Sequence, residues 1–155
     1  MAAQQKLRRW CLQARMQGMN RKDLQVLAET RLAEAQVLLK ARKYSGAYYL
    51  AGYALECALK ACIAKQIKRY EFPDKKRVND SYTHNLKDLL VLSNLNQALG
   101  DRCVADRTFR ANWDLVTQWS EKSRYELADR ARTMALISAI MDSNSGVMPW
   151  VKQRW

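Results

Sequence analysis

The sequence predicts an all-α protein built as a helical bundle. Three observations carry this. Five glycines and two prolines are too few for the turns of a sandwich, barrel or doubly wound sheet. Hydrophobic residues are 48% and charged residues 27%, the balance of a water-soluble globular chain. Apolar residues recur at helical spacing over most of the length. With 155 residues the chain suits one domain and can bury a core without disulfides or metals.

Residues 1–19 read as a basic N-terminal extension, since residues 1–18 hold Lys6, Arg8, Arg9 and Arg15 and no acid. A single helical domain is expected over 20–155, with Met19 as its natural start. Asn20 is the right residue to cap a first helix from Arg21 to Arg42, with Asp23 in its first turn. Leu24, Ala28, Leu32, Ala35, Leu38 and Leu39 form its stripe. Ser45-Gly46 is the expected break. A second helix follows from Ala47 to Tyr70, apolar almost all round as a central helix must be. Tyr49, Tyr53, Glu56 and Lys60 are spaced 4, 3 and 4 and fall on one stripe. Glu56 before Lys60 is the favourable order for an ion pair.

Residues 71–83 are expected to be the main loop, starting at Pro73. The loop and its approach carry Lys65, Lys68, Arg69, Lys75, Lys76 and Arg77, the densest basic run. A third helix starts near His84, capped by Thr83, with Leu86, Leu89, Leu90 and Leu92, and a short extension reaches Leu99. After Gly100, Asp106 caps a helix bearing Phe109, Trp113, Val116 and Trp119. The last of about five main helices runs from Tyr125 to Met141, its face marked by Leu127, Ala131, Met134, Ala135, Ser138 and Met141. The tail after Gly146 carries two tryptophans, so it docks on the body.

The surplus of 27 basic over 15 acidic residues favours an anionic partner, nucleic acid or acidic protein. One histidine and four cysteines without a CxxC pair exclude a zinc centre, and no cofactor is expected. Cys57 and Cys62 read as core packing. No apolar run reaches the ~20 residues of a membrane span, and residues 1–18 lack the apolar segment of a secretory signal. A reduced, cytoplasmic protein is the expectation.

Three ordered motifs resemble one family. Gly46 to Lys65 (GAYYLAGYALECALKACIAK) has the aromatic entry and the Glu-x-Ala-Leu-Lys-Ala core, here Glu56 to Ala61. His84-Asn85-Leu86 followed by Leu89 is similar to a His-Asp-Leu-x-x-Leu helix opening, and Arg124-Tyr125 resembles the Arg-Tyr before a last long helix. Over residues 20–142 the chain resembles the HEPN (higher eukaryotes and prokaryotes nucleotide-binding) domain. The resemblance implies an up-and-down bundle, a homodimer, and a bacterial toxin–antitoxin or defence setting. Some members are metal-independent ribonucleases; others are non-catalytic partners of nucleotidyltransferases.

In the ribonuclease members an Arg-x(4–6)-His motif opens the last conserved helix. Carrying Arg124 over places the histidine at 129–131, which are Asp129, Arg130 and Ala131, and no histidine follows His84. The usual catalytic motif is missing from the last helix. One literal match sits elsewhere: Arg77, six residues, His84. His84, Arg77 and Arg124 are therefore the catalytic candidates, the histidine to exchange a proton and the arginines to meet phosphate charge.

Each candidate has a structural alternative. His84 can cap its helix or bond to the second helix. Glu56 and Lys60 can be a register-fixing ion pair, or line a dimer cleft where Tyr49 and Tyr53 stack on bases. Arg124 can pair with Glu121 or Glu56. Lys75 and Lys76 are either a solvated face or contacts to an RNA backbone. The expectation for function is RNA binding or cleavage in a basic dimer cleft. The alternative is a non-catalytic dimeric module that partners a nucleotidyltransferase or another effector.

Overall fold

The computed structural model describes residues 19–68, 72 and 74–155. The expected basic extension, Met19 aside, lies outside these residues, as do Arg69, Tyr70 and the loop-opening Pro73. Among the described residues there are eight α-helices, one 3-10 turn and no strand. This is the expected all-α bundle.

Helix α1 spans Arg21–Lys40. Asn20 opens it with a reciprocal capping box: its side chain accepts from the Asp23 N–H, and Asp23 accepts from the Asn20 N–H, both at 3.0 Å. The chain reverses over three residues, with Arg42 in the left-handed region at φ 60°. Helix α2 spans Tyr44–Lys65. Ser45-Gly46 is therefore not the break but the first turn of α2. A Cβ at Gly46 would stand 3.1 Å from Leu38 Cδ1, so this glycine lets α1 and α2 close into a hairpin. The Ser45 hydroxyl accepts a bond from the Ala128 N–H at 3.0 Å, a tertiary contact invisible to local propensity.

Helix α2 is the centre of the bundle. It packs against α1, the helices around Leu86 and Arg130, the 3-10 turn and the C-terminal helix. Ala47, Ala51, Ala54, Ala58 and Ala61 are buried along it, and small side chains let neighbours approach closely. It ends at Lys65, earlier than the expected Tyr70.

The expected loop holds a one-and-a-half-turn helix, α3, Lys75–Asp80, capped by Asp74. Helix α4 spans Leu86–Leu92. Its cap is Asn85, whose side chain accepts from Lys87 and Asp88, so His84 precedes the helix and Thr83 supports the cap from outside. Helix α5, Asn96–Ala105, runs straight through Gly100, where no neighbour lies near enough to require a glycine. Helix α6, Arg107–Val116, is capped by Asp106 as expected, and buries Phe109, Trp113 and Val116. Trp119 is buried just beyond it.

The last long helix differs most from expectation. Glu121–Tyr125 is a 3-10 turn, and α7 spans Arg130–Met141 from its Asp129 cap. Its buried side is Thr133, Leu136, Ile137, Ala139 and Ile140. Ala131, Met134, Ala135 and Ser138, expected inside, are exposed, and Leu127 is 93% exposed. Both sides of this helix are rich in apolar residues, so periodicity could not choose between them. The tail forms α8, Val147–Lys152, and docks through Val147, Met148, Trp150 and Val151. No helix among the described residues is long and apolar enough to cross a membrane.

Candidate functional site

Glu56 is the most telling side chain on α2. It is 1% exposed on an otherwise apolar helix. Its Oε1 accepts from Lys60 Nζ at 2.8 Å, one turn along, and lies 2.9 Å from His84 Nδ1. A carboxylate only accepts, so the proton of this bond sits on Nδ1. In the neutral ring that leaves Nε2 as an acceptor. His84 therefore bonds across to α2 rather than capping α4. The second oxygen, Oε2, is buried without a hydrogen-bond partner among the described residues.

The aromatic half of the stripe continues one and two turns back. Tyr49 and Tyr53 are stacked with ring centroids 6.1 Å apart and planes 7° apart. Tyr49 also meets Trp119 at 6.2 Å. Trp119 lies flat on Gly52, where a Cβ would collide with the indole. That glycine is needed for close approach in mid-helix, and it is the one hint in the sequence that an aromatic ring covers this turn. The Tyr53 hydroxyl is pushed up to about 12, chiefly by burial and then by the adjacent Cys57. Cys57 itself is pushed up to about 11 by burial and by Glu56. A thiol held protonated in this way is packing and not a nucleophile. Arg31 on α1, joined to Glu34 at 2.5 Å, adds a cation near Tyr53 and Cys57 that the sequence reading had not singled out.

Arg124 sits at the aromatic end. Its guanidinium lies 5.0 Å from the Tyr125 ring centroid and is held charged by Tyr125 and Tyr49. Its partners are these aromatics, not Glu121 or Glu56. The fold thus brings Tyr49, Tyr53, Glu56, Lys60, His84 and Arg124 to one edge of α2, with Arg124 and the His84–Glu56–Lys60 cluster at opposite ends of the stripe.

Arg77 is employed elsewhere. Its Nη2 donates to the Leu92 carbonyl at 2.9 Å and to the Gln66 side chain, tying the end of α2 to the end of α4. Gln66 in turn donates to the Ser93 carbonyl. This clamp closes around the six-residue spacing that links Arg77 to His84 in sequence, yet the partners of the two side chains differ. Lys75 and Lys76 stand in the first turn of α3, exposed. Among the described residues no group of three or more His, Cys, Asp or Glu side chains could hold a metal.

The arrangement can present a half-exposed imidazole beside a lysine, with aromatic faces and an arginine further along. It suits binding of a phosphorylated, base-bearing ligand. A family model for the HEPN domain matches residues 22–153. No curated protein and no solved structure matches the chain.

Proposed function

Because the chain belongs to the HEPN domain family, we propose that it is a homodimeric RNA-binding module whose contact surface is the Tyr49–His84 edge of α2. The observation that carries this reading is the Glu56 cluster. A carboxylate 1% exposed holds Lys60 and His84 at fixed positions on the rim of a two-tyrosine stack. Stacked rings with a guanidinium at one end, Arg124 against Tyr125, are what a single-stranded nucleic acid needs: a face for the base and charge for the phosphate.

Binding is the better reading than cleavage. Cleavage without a metal needs a cation at the phosphate beside the proton-exchanging group. Arg77 is spent on the α2–α4 clamp, Arg124 lies against Tyr125, and Lys60, the cation beside His84, is paired with Glu56. The dimer is proposed to form through α7, whose exposed side carries Met134 and three small residues, with Leu127 and Tyr125 exposed just before it. The setting proposed is a bacterial toxin–antitoxin or defence locus. That α7 surface also favours a second reading, in which it docks a nucleotidyltransferase or another effector.

The test is direct. Sedimentation at micromolar concentration should show a dimer, and a labelled RNA should bind with affinity that falls steeply from about 50 to 200 mM salt. An 18.0 kDa species alone would remove the dimer cleft. Binding that ignores salt, or none, would remove the RNA reading. Salt-sensitive binding with no cleavage in EDTA is the expected result.

A further inference from the structure

The opposite side of α2 carries a second charged surface, made differently. Lys65 is nine residues beyond Glu56, about half a turn around the helix axis. Its Nζ donates to the Arg154 carbonyl at 3.0 Å. Arg21, at the start of α1, reaches a backbone oxygen of Trp155 at 3.4 Å. Arg154 donates to the Trp150 carbonyl at 2.8 Å and lies over the Trp150 ring at 4.3 Å. Trp150 packs on Phe109, with centroids 5.4 Å apart, and Arg102 lies 5.3 Å from the Phe109 centroid. Four cations are therefore linked through α8 by contacts to carbonyls and rings.

Carbonyls and aromatic faces fix a cation without neutralising it. Within this group of four, Lys65 and Arg154 rest on peptide carbonyls with no carboxylate partner among the described residues, whereas Arg102 has Asp106 at 2.8 Å and Arg21 meets a backbone oxygen of Trp155. Neighbouring Lys152 is paired with Glu29 and lies over the Trp155 ring. Burial holds Arg154 below the ordinary arginine range, with a smaller push in the same direction from Arg102. Positions are set in advance, so an anion arriving here orders few side chains and relieves repulsion.

We propose that the surface formed by Arg21, Lys65, Arg102 and Arg154 around α8 binds the phosphodiester backbone of single-stranded RNA, as a contact region separate from the Tyr49–His84 edge. Its choice of RNA over another polyanion rests on the function proposed above. The part-buried Trp155 among these cations supplies an aromatic ring, which favours a single strand over a duplex.

The experiment is an anisotropy titration of a labelled single-stranded RNA between about 50 and 200 mM salt. Wild type is compared with Arg21→Gln/Lys65→Gln, with the same pair plus Arg154→Gln, with Arg21→Lys/Lys65→Arg, and with His84→Ala. Arg21 and Lys65 are exposed, so the first pair leaves the fold in place, and melts run alongside confirm it. Each lost phosphate contact should lower the slope of log K against log salt by about 0.7. The double variant should therefore lose about 1.4 and the triple about 2, while the charge-preserving pair and His84→Ala keep most of the slope. A wild-type slope in both Gln variants overturns this surface and leaves the Tyr49–His84 edge standing. Loss of binding in His84→Ala alone does the same. Absence of wild-type binding overturns both readings, and equal affinity for duplex RNA overturns the single-strand assignment.

Discussion

The two edges of α2 handle positive charge in opposite ways. On one, Lys60 and His84 converge on a single buried carboxylate oxygen of Glu56, so charge is cancelled and geometry is fixed together. On the other, Lys65 and Arg154 are held by peptide carbonyls and an indole ring, so geometry is fixed and charge is left over. The difference teaches where to look for a polyanion. An ion pair marks a residue already satisfied; a cation anchored on neutral groups still lacks its counter-charge. The +12 of the chain is thus less informative than which cations the fold leaves uncompensated.

The largest expected effects come from dismantling each edge. On the α8 side, Phe109 is fully buried and joins Trp150 to Arg102. Phe109→Ala should cost about 3–5 kcal/mol in chemical denaturation. On the Glu56 side, Lys60→Met with His84→Ala removes both partners of the buried carboxylate. That pair should cost about 3 kcal/mol, more than the sum of the single changes, because either partner alone still serves Oε1. Additive losses there would mean that Lys60 and His84 act independently and that Glu56 is not their shared anchor.

Two thiols on α2 sharpen the comparison from within. Cys57 lies by Glu56 and Cys62 lies by Lys65, Arg154 and Arg21; burial pushes each up to about 11. Both are therefore more readily protonated folded than unfolded. Their contribution is fully present below about pH 9 and is lost as pH rises toward 11, by roughly 2–3 kcal/mol for each thiol. Denaturation between pH 8 and 11 should show this fall, and Cys57→Ala/Cys62→Ala should flatten it. Arg21→Gln/Lys65→Gln removes cations that hold Cys62 down, so alkylation of Cys62 should need still higher pH while Cys57 stays put. A shift in both thiols would mean the edges are not electrically separate, and a shift in neither would mean that Arg21 and Lys65 do not hold Cys62 down.

Much of the Glu56 edge was legible in the sequence. A glutamate and a lysine one turn apart on an apolar helix have few partners except each other, and a lone histidine opening the next helix pair is close enough to join them. The Asn20 and Asp106 caps were legible because capping is local. Features set by tertiary contact were not. The hairpin turn falls at Arg42, whose left-handed φ no arginine announces, while the expected break at Ser45-Gly46 became a packing contact with Leu38. Gly100 lies within α5 because an exposed helix tolerates one glycine at a cost of about 1 kcal/mol. The α8 edge was invisible for a plain reason. Arg21, Lys65, Arg102 and Arg154 are far apart in sequence, and backbone carbonyls, which every residue has, are what gather them.

The smallest expected effect is that of His84→Ala alone, and it bears most on function. His84 is the only histidine, so no other imidazole can replace it. Its Nδ1 bond to Glu56 is worth about 0.5–1.5 kcal/mol net, and Lys60 remains on Oε1 after the change, so Glu56 is not stranded. The melting shift should be correspondingly small. If the Tyr49–His84 edge only binds RNA, affinity should drop modestly with the loss of one polar contact, and neither protein should cleave a mixed RNA in EDTA above background. A general acid or base would behave otherwise: wild type would cleave, and the alanine variant would lose about 10²–10⁴-fold of that rate. That outcome would turn the Glu56 carboxylate from an anchor into the group that orients a reacting imidazole. It would also require a phosphate-stabilising cation beside His84, and Lys60, already one bond away through Glu56, is the residue that the geometry supplies.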